Sequence, residues 1–352
     1  MQTERSQMIK VGIAGVTGYT GIELVKLISN HPKAKLCAVN SNSYKGKALT
    51  EVFPSMRGFE TLICEDLDGP PLSRKLDVIF LALPHKISMH HVPRLLENNM
   101  KVIDLSADFR FSDASAYESA YQEHTAKHLL KESVYGLSEI YRDKIKAAKL
   151  IGNPGCYPTS VLLPLIPLLK EDLIQPSGII SDSKSGVSGA GRSLSLSSHF
   201  CEVNESFAPY KIGNHRHTPE INEILSLQSG RKISITFVPH LLPITRGMLS
   251  TIYVQAKDHT TESRVREVYA AYYGKQPFIR ILQKNAFPAI SHVKGTNACD
   301  IGLHFCEKTH QIILVSAIDN LLKGAAGQAV QNMNIMFGLK DDLGLNSVRV
   351  PL

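Results

Sequence analysis

The 352-residue sequence lacks the features that mark fibrous and membrane-spanning proteins. It contains no internal repeat and no low-complexity tract, and its 24 glycines and 18 prolines follow no period. The longest apolar stretch, residues 161–169, is interrupted by Pro164 and Pro167, whereas a transmembrane helix needs about 20 apolar residues. With 43% hydrophobic and 20% charged residues, the composition is that of an ordinary globular protein and excludes whole-chain disorder.

Charge of one sign is only slightly in excess, and cysteine pairs are missing. The 39 basic and 32 acidic residues leave a net charge of +7, without any run of five basic residues. This pattern gives a nucleic-acid groove little support and is equally suited to steering an anionic metabolite.

The six cysteines form no Cys-x-x-Cys pair, so we expect no disulfide framework and expect five of them to pack as small apolar side chains. The polar residues 1–7 contain no apolar signal segment, which predicts a frayed tail on a cytoplasmic protein.

Strands and helices alternate along the first half of the chain. Residues 77–83 (DVIFLAL) form a continuous apolar run, as expected for a strand covered on both faces. The predicted strands are residues 8–14, 35–39, 77–83, 101–105 and 149–151, and the predicted helices are residues 21–29 and 88–98. This order is typical of a doubly wound α/β domain with a parallel, Rossmann-type sheet.

The second half has a different pattern. Polar and apolar residues alternate along three segments, which predicts half-buried strands of a mixed or antiparallel sheet. These strands are residues 233–238, 249–256 and 299–306, a further strand covers residues 178–182, and the predicted helices are residues 262–273 and 320–337. We therefore expect a second, α+β domain with a mixed sheet that begins near Cys156.

A glycine-rich segment, residues 15–21 (GVTGYTG), lies between the first strand and the first helix. Glycines here permit a tight turn and let backbone N–H groups bind a pyrophosphate at the helix N-terminus. The context favours a dinucleotide site, and the alternative is an ordinary turn. An NAD enzyme usually has an acidic residue after the second strand, but residues 40–47 (NSNSYKGK) contain none. Their hydroxyls and two lysines favour NADP, the alternative being a merely polar loop.

Cys156 has a setting unlike that of the other cysteines, in residues 152–159 (GNPGCYPT) between a short strand and an apolar helical run. Pro158 is suited to the first turn of a helix, because its missing N–H costs nothing there. The thiol would then lie beside unpaired N–H groups and the positive end of the helix dipole, which favour a thiolate. We interpret Cys156 as a nucleophile in preference to a buried spectator.

His215 and His217 belong to the segment HRHTPEI (215–221). A catalytic thiolate needs a group that moves a proton, and histidine is the usual one. A His-x-His pair is also suited to a metal, but no further ligands stand at a recognisable spacing, so we prefer the acid/base interpretation. A loop of small residues, 185–192 (SGVSGAGR), permits close approach to a planar ring or an anion, and is otherwise a flexible surface loop.

Together these segments resemble the N-acetyl-gamma-glutamyl-phosphate reductase family, which is related to aspartate-semialdehyde dehydrogenase. The matching segments are GVTGYTGIEL (15–24), ALPH (82–85), DLSADFR (104–110), VYGLSEI (134–140), GNPGCYPT (152–159), SGVSGAGR (185–192), HRHTPEI (215–221), PHLLPITRGM (239–248) and KGAAGQAVQNMN (323–334). They span nearly the whole chain in the family's order. The resemblance implies NADPH-dependent reduction of N-acetyl-L-glutamyl 5-phosphate to the 5-semialdehyde in arginine biosynthesis, with Cys156 as nucleophile and His217 as acid/base.

The resemblance also implies where the cofactor NADP binds. The implied residues are Gly15, Thr17, Gly18, Tyr19, Thr20, Gly21, Ser41, Ser43, Lys45, Leu83, Pro84, His85, Ser188, Gly189 and Asn320. Many family members have Arg in the loop after the second strand, where this chain has only Asn and Lys. The final helix would pack back on the first domain, so that residues 1–155 with 319–352 bind NADP and residues 156–318 form the catalytic and oligomerisation domain.

Several polar residues are candidates for binding the small acyl-phosphate substrate, because arginine in particular suits carboxylate and phosphate groups. The candidates are Arg110, Asn153, Arg192, Arg216 and Arg246. We expect a homo-oligomer, dimer or tetramer, with no metal and with neither nucleic acid nor membrane as a partner. Two alternatives remain open: a sister reductase of carrier-bound aminoadipyl phosphate, and a non-catalytic protein that senses NADP.

Overall fold

The computed structural model of the chain describes residues 8–59, 61–69 and 76–346. Residues 1–7, for which the sequence predicts a frayed tail, lie outside the described residues. The chain divides into two compact units, Met1–Pro154 with Ala326–Leu345 and Gly155–Ala325 with Asn346–Leu352. Residues 319–325 group with the second unit, because Asp319 and Asn320 form their side-chain bonds there.

The first unit contains a parallel sheet, with seven strands among the described residues. The strands are Ile9–Ala14 (β1), Ala34–Asn40 (β2), Cys64–Glu65 (β3), Val78–Leu81 (β4), Lys101–Asp104 (β5), Val134–Tyr135 (β6) and Leu150–Gly152 (β7). Their order across the sheet is β3-β2-β1-β4-β5-β7-β6, and every pair is parallel. All four residues of β4 are fully buried, as expected for a strand covered on both faces. The predicted Rossmann-type sheet is confirmed.

Helices connect these strands in the order that the sequence predicts. They are Tyr19–Ser29 (α1), Leu49–Val52 (α2), Ser88–Glu97 (α3), Ala114–Ala120 (α4) and Ser138–Ala147 (α5). The helices α1 and α3 agree with the predicted segments within a few residues. The sequence analysis did not predict α4 and α5, which have many polar residues and only a narrow buried side.

The second unit contains a mixed sheet, again with seven strands among the described residues. The strands are Ile180–Gly186 (β8), Ala208–Pro209 (β9), Thr236–Leu242 (β10), Met248–Gln255 (β11), Ile279–Ile281 (β12), Cys299–Cys306 (β13) and Gln311–Ile318 (β14). Their order is β12-β13-β14-β11-β8-β10-β9. The pairs β8–β10 and β12–β13 are parallel, and the remaining pairs are antiparallel. The predicted mixed sheet is confirmed.

Two strands of this sheet are shifted towards the C-terminus relative to the prediction. The strand predicted at residues 233–238 starts at Thr236, because the N–H of Ile233 donates to the hydroxyl of Ser226 and not to a neighbouring strand. The strand predicted to end at Asp182 continues to Gly186, because it pairs along that length with β10. Residues 185 and 186 therefore belong to a strand, and only the rest of the predicted small-residue loop lies beyond it.

The helix Cys156–Lys170 (α6) is almost entirely buried in the second unit. Pro158 lies in its first turn, as predicted. Pro167 has no N–H and leaves the carbonyl of Leu163 without its helical donor, but the hydroxyl of Tyr273 donates to that carbonyl at 2.5 Å. The further helices of this unit are Phe200–Val203 (α7), His217–Ser229 (α8), Glu262–Tyr273 (α9) and Ile290–Val293 (α10). Tyr273 therefore replaces a backbone bond that Pro167 removes.

The last helix, Gly327–Met336 (α11), contacts α1 and α5 within the first unit. It follows a π-helical turn, Leu322–Ala326, so the helix predicted from residue 320 starts slightly later.

Of the cysteines, Cys64 and Cys299 are buried, whereas Cys201 is exposed, so the expectation that five cysteines pack inside is wrong for Cys201. No described helix is both long enough and apolar enough to cross a membrane.

A pair of buried carboxyl groups lies at the end of β5. Asp104 is completely buried and accepts hydrogen bonds from the backbone N–H and the hydroxyl of Ser106. Burial, followed by the charge of nearby Asp108, raises the pKa of Asp104 to about 7. The folded protein therefore holds a proton on Asp104 between about pH 4 and pH 7, where an unfolded chain has released it.

This raised pKa predicts a pH-dependent cost of folding. Since the folded state binds more protons there, the contribution of Asp104 to stability falls as pH rises from about 4 to about 7. Asp104→Asn removes the titration, so its free energy of unfolding relative to wild type should rise by on the order of 2 kcal/mol between pH 5 and pH 8. Chemical denaturation at several pH values measures this difference.

Asp113→Asn is the matched control. Asp113 caps α4 from an exposed position, and its bonds to Ser115 lower the pKa of its carboxyl. It is therefore ionised in both folded and unfolded chains above pH 5, and its substitution should have a pH-independent effect. A pH-independent difference for Asp104→Asn as well would contradict the prediction.

Candidate active site

The glycine-rich segment of the first unit forms a tight turn between β1 and α1. Gly15 has a φ of +75°, and a Cβ at this residue would lie 2.2 Å from the carbonyl oxygen of Ala82. A Cβ at Gly21 would lie 2.3 Å from the carbonyl oxygen of Gly15. Gly18 stands before the first turn of α1, where it has no side chain to cap the helix. The turn thus permits an anion to approach the N–H groups of α1, as a pyrophosphate site requires.

The loop after β2 lies beside this turn. The hydroxyls of Thr17 and Ser41 are 2.9 Å apart. Lys45 is exposed and forms an ion pair with exposed Asp66 at 2.7 Å. The sequence alone does not predict an acidic residue beside this loop, because Asp66 follows β3 and is distant from the glycine turn in sequence. A 2′-phosphate that binds Lys45 has to share it with this carboxylate.

The segment 82–87 after β4 is held by residues of the DLSADFR segment (104–110). The Nδ1 of His85 accepts the N–H of Ala107 at 2.9 Å. Lys86 has a φ of +76°, and its N–H donates to Asp108 at 2.8 Å. The N–H of Met89 donates to the other oxygen of the same carboxylate at 3.2 Å. The sequence analysis missed Asp108, whose role depends on a turn that local pattern does not reveal.

Two of the substrate candidates bind each other in the first unit. Arg110 is buried, and its Nε donates to the carbonyl oxygen of Asn153 at 2.7 Å. Asn153 also accepts a bond on its side-chain oxygen from Asn332 of α11 at 3.0 Å. Its own N–H donates to the carbonyl of Asp104 at 2.7 Å. Arg110 and Asn153 thus fix the backbone at the end of β7.

Cys156 is the first residue of α6 in the second unit. Gly155 precedes the helix in an extended conformation, and its N–H donates to the buried carboxylate of Glu220 at 2.9 Å. Gly324 packs against the nucleophile candidate, since a Cβ at Gly324 would lie 2.7 Å from the Cβ of Cys156. The position at a helix N-terminus, which the sequence predicts, is confirmed and favours the thiolate.

His217 is the first residue of α8, which packs against α6. Its ring lies 6.0 Å, between centroids, from that of Tyr157, the residue next to Cys156. The ring of His215 lies 5.0 Å from that of His217 and 5.5 Å from that of Tyr157. The packing of two helices therefore brings the starts of α6 and α8, with Cys156 and His217, to one cluster of rings.

His215 has a structural position in this cluster. Its Nδ1 accepts the N–H of His217 at 3.1 Å. Burial, and then the charges of Arg216 and Lys211, lower the pKa of His215 to about 4. The ring is therefore neutral near pH 7 and cannot supply a positive charge. Burial likewise raises the pKa of Tyr210 to about 12, so its phenol stays protonated at the same pH.

Ser188, Gly189 and Asn320 come together within the second unit. The amide nitrogen of Asn320 donates to the hydroxyl of Ser188 at 3.0 Å, and its oxygen accepts the N–H of Gly247 at 2.7 Å. A Cβ at Gly189 would lie 3.8 Å from that amide nitrogen. The cofactor candidates of this unit thus form one group around Ser188.

The remaining substrate candidates differ in exposure. Arg192 and Arg216 are exposed, and Arg216 lies between His215 and His217 in the sequence. Arg246 is mostly buried and forms an ion pair with Asp319 at 2.8 Å. Among residues 8–59, 61–69 and 76–346, no three His, Cys, Asp or Glu side chains group together in the way that a metal site requires.

Two family models cover most of the chain. Residues 10–148 match the NAD binding domain of semialdehyde dehydrogenase, and residues 156–320 match the dimerisation domain of semialdehyde dehydrogenase. Solved structures of low sequence identity share the fold. An aspartate semialdehyde dehydrogenase II from Vibrio cholerae matches with a TM-score of 0.74 at 16% identity, over 95% of this chain and 99% of that one. An aspartate semialdehyde dehydrogenase with NADP from Candida albicans matches with a TM-score of 0.68 at 16% identity, over 94% and 99%.

Curated relatives match at much higher identity. The N-acetyl-gamma-glutamyl-phosphate reductase of Desulforapulum autotrophicum is 64% identical over 338 residues, covering 96% of this chain and 98% of that protein. The protein of the same name from Geobacter sulfurreducens is 50% identical over 342 residues, covering 97% and 99%. Since identity of this level extends over nearly all of both chains, the chain belongs to the N-acetyl-gamma-glutamyl-phosphate reductase family.

Proposed function

We propose that the chain catalyses NADPH-dependent reduction of N-acetyl-L-glutamyl 5-phosphate to N-acetyl-L-glutamate 5-semialdehyde and phosphate, in arginine biosynthesis. The observation that carries this proposal is the meeting of two helix starts, with Cys156 on α6 and His217 on α8. Relatives that are 64% and 50% identical and are named for this reaction support the substrate.

Cys156 acts as the nucleophile. Its thiolate attacks the acyl carbon, the bond from that carbon to the phosphate oxygen breaks, and phosphate leaves, so that a thioester forms. The N-terminus of α6 stabilises the thiolate before the attack, because its first N–H groups and its dipole favour negative charge. Division of the reaction into two easier steps is the benefit of a covalent intermediate.

His217 manages the proton of the second step. NADPH, when bound, supplies the hydride that reduces the thioester carbon. His217 donates a proton to the resulting oxyanion and takes that proton back as the carbon–sulfur bond breaks, which releases the aldehyde and the thiolate of Cys156. His215 is neutral because its pKa is about 4, and its acceptor bond orients the backbone of His217. The two histidines therefore have different tasks.

The residues of the first unit fit a dinucleotide. The glycine turn is so tight that a Cβ at Gly15 or Gly21 would collide with neighbouring backbone, and we propose that it exposes the N-terminus of α1 to a pyrophosphate. Ser41, Ser43 and Lys45 would hold the 2′-phosphate of NADP. The remaining cofactor residues are Thr17, Gly18, Tyr19, Thr20, Leu83, Pro84 and His85, with Ser188, Gly189 and Asn320 from the second unit.

We propose Arg216 as the first ligand of the substrate's anionic groups. It is exposed and belongs to the same turn as His215 and His217. Arg192 is a second exposed candidate, in the loop after β8. Arg110 and Asn153 are assigned to the backbone that leads to Cys156, because their bonds hold that backbone.

The second unit presents apolar side chains that suit self-association. The exposed ones lie in and beside the segment that precedes α8, and they are Leu194, Leu196, Phe200, Phe207 and Ile212. Together with the match of residues 156–320 to a dimerisation domain, they support a homo-oligomer, dimer or tetramer.

All six cysteines are free thiols, which supports a place in the reducing cytoplasm.

The role of Cys156 is tested by removing its sulfur. Cys156→Ala should abolish turnover while NADPH still binds, and Cys156→Ser should be very poor because a hydroxyl is barely ionised at neutral pH. Phosphate-dependent reduction of NADP with N-acetylglutamate semialdehyde, beside the aminoadipate analogue, measures turnover and substrate choice. Cys201→Ser is the control, since Cys201 is exposed and should leave the rate unchanged. Substantial activity of Cys156→Ala would sink the mechanism.

The two histidines should differ when each is replaced by asparagine. We expect His217→Asn to lower kcat by roughly 10²–10⁴-fold, with a smaller change in KM and loss of one limb of the pH profile. His215→Asn should have a milder effect and keep that limb, because His215 is already neutral above its pKa of about 4. Steady-state kinetics across pH 5–9 separate the two. Equal losses that a chelator reproduces in the wild type would instead indicate a metal site.

Cofactor preference should depend on the lysines after β2. Replacement of Lys45 and Lys47 by Ala should raise the KM for NADPH by roughly tenfold and leave that for NADH nearly unchanged, because only NADPH carries the 2′-phosphate. Lys10→Ala removes the same kind of exposed charge from the opposite end of β1 and serves as the control. A wild-type protein that prefers NADH would overturn the assignment.

A further inference from the structure

The carboxylate of Asp319 is fully buried and joins three segments of the second unit. It accepts the N–H groups of Gly295, Leu321 and Leu322 at 2.6, 2.9 and 3.1 Å. Arg246 completes the arrangement with a bidentate ion pair, 2.8 Å from Nε to Oδ2 and 2.9 Å from Nη2 to Oδ1. A buried carboxylate is stable only when it is paired with an opposite charge and its oxygens accept hydrogen bonds. Both carboxylate oxygens of Asp319 are therefore engaged by groups of the protein.

The turn that follows Asp319 carries two residues of the candidate active site. Asn320 accepts the N–H of Gly247 at 2.7 Å, which fixes the orientation of its amide. Gly324 donates its N–H to the carbonyl of Asp319 at 3.0 Å and packs on Cys156, with no room for a Cβ. A displacement of Asp319 therefore moves both the residue proposed to meet the nicotinamide and the residue that covers the nucleophile.

Arg246 belongs to a second turn that is bonded to the end of β8. The N–H groups of Val187 and Ser188 donate to the carbonyls of Ile244 and Thr245 at 2.9 and 3.0 Å. A Cβ at Gly186 would lie 2.8 Å from the Cα of Arg246, so this turn sits directly on the strand. The ion pair thus connects the turn 244–247, which holds Ser188, with the turn 319–324, which holds Asn320.

We propose that Asp319 and Arg246 are a pair of positioning residues, which set the places of Asn320 and Gly324 around Cys156 without touching the substrate. This assignment rests on the reductase activity proposed above and on Cys156 as its nucleophile. Under this assignment, Arg246 binds Asp319 and is no longer a candidate for binding the substrate. Lysine cannot replace it, because only the guanidinium fork spans both oxygens of a carboxylate.

Asp319→Asn and Arg246→Lys test the pair. A misplacement of about 1 Å can cost on the order of 10²-fold in rate, so each variant should lower kcat by roughly that factor while the KM for the semialdehyde and for phosphate changes less than about threefold. The double variant should be no worse than the poorer single variant, because both lose one interaction. Alkylation of Cys156 by iodoacetamide, followed on its own peptide by mass spectrometry, should become several-fold faster in each, since Gly324 no longer shields the thiol.

Asp300→Asn is the matched control. Asp300 is a buried carboxylate of β13 that pairs with the half-exposed Arg280 at 2.5 Å, so it reports the general cost of removing the charge of a buried, paired carboxylate. It should lower the thermal midpoint as Asp319→Asn does, with wild-type kcat and wild-type alkylation. The proposal is overturned if Asp319→Asn behaves like Asp300→Asn, or if Arg246→Lys raises a substrate KM more than tenfold while Asp319→Asn does not. Activity in Cys156→Ala would instead refute the site on which the proposal rests.

Discussion

The hydrogen bond from the N–H of Gly155 to Glu220 is the interaction on which the rest of the second unit's chemistry depends. A helix begins with N–H groups that have no partner inside the helix, and a carboxylate is a strong acceptor for one of them. Glu220 stands three residues after His217 on α8, so both side chains project from the same side of that helix. One bond therefore fixes the start of α6, which carries Cys156, relative to the start of α8, which carries His217.

Because α6 is buried, its unpaired backbone groups need hydrogen-bond partners among the surrounding residues. A helix with two interior prolines loses backbone bonds that would cost several kcal/mol if nothing replaced them. Tyr273 of α9 donates its hydroxyl at 2.5 Å to the carbonyl of Leu163, which Pro167 leaves without a donor, and Tyr269 adds a bond to the carbonyl of Pro164 at 2.7 Å. The hydroxyl of Ser160, on α6 itself, lies 2.7 Å from that of Ser250 on β11. Polar groups on the covering elements thus let an apolar, proline-containing helix carry the nucleophile.

In the first unit, one short segment supports the backbone of two neighbouring loops. Residues 105–110 follow β5, and their side chains reach two neighbouring loops at the carboxyl ends of parallel strands. Asp108 holds the backbone of Lys86 in a left-handed conformation, and Arg110 holds the carbonyl of Asn153. Loops at this edge of a parallel sheet are where dinucleotides bind, so rigid support of them is useful for placing a cofactor. Asp108 and Arg110 are charged residues of the kind that bind ligands, but here their side chains form hydrogen bonds with backbone groups.

Local sequence patterns predict the parallel sheet of the first unit, the glycine turn and the place of Cys156 at a helix start. Each of these depends on local pattern: continuous apolar runs, glycines between a strand and a helix, and Pro158 in a first turn. The mixed second sheet also followed from alternation, although β10 begins later than predicted because Ile233 bonds to the side chain of Ser226.

The pairing of charged residues with each other is set by the packing of the fold and cannot be predicted from local sequence. Arg110, Arg192, Arg216 and Arg246 look equivalent in the sequence, and their difference is set by partners far along the chain, such as Asp319 for Arg246. The same holds for His215, whose low pKa results from burial and from the cations around it. Burial and long-range pairing depend on how elements pack, and no local spacing of residues encodes them.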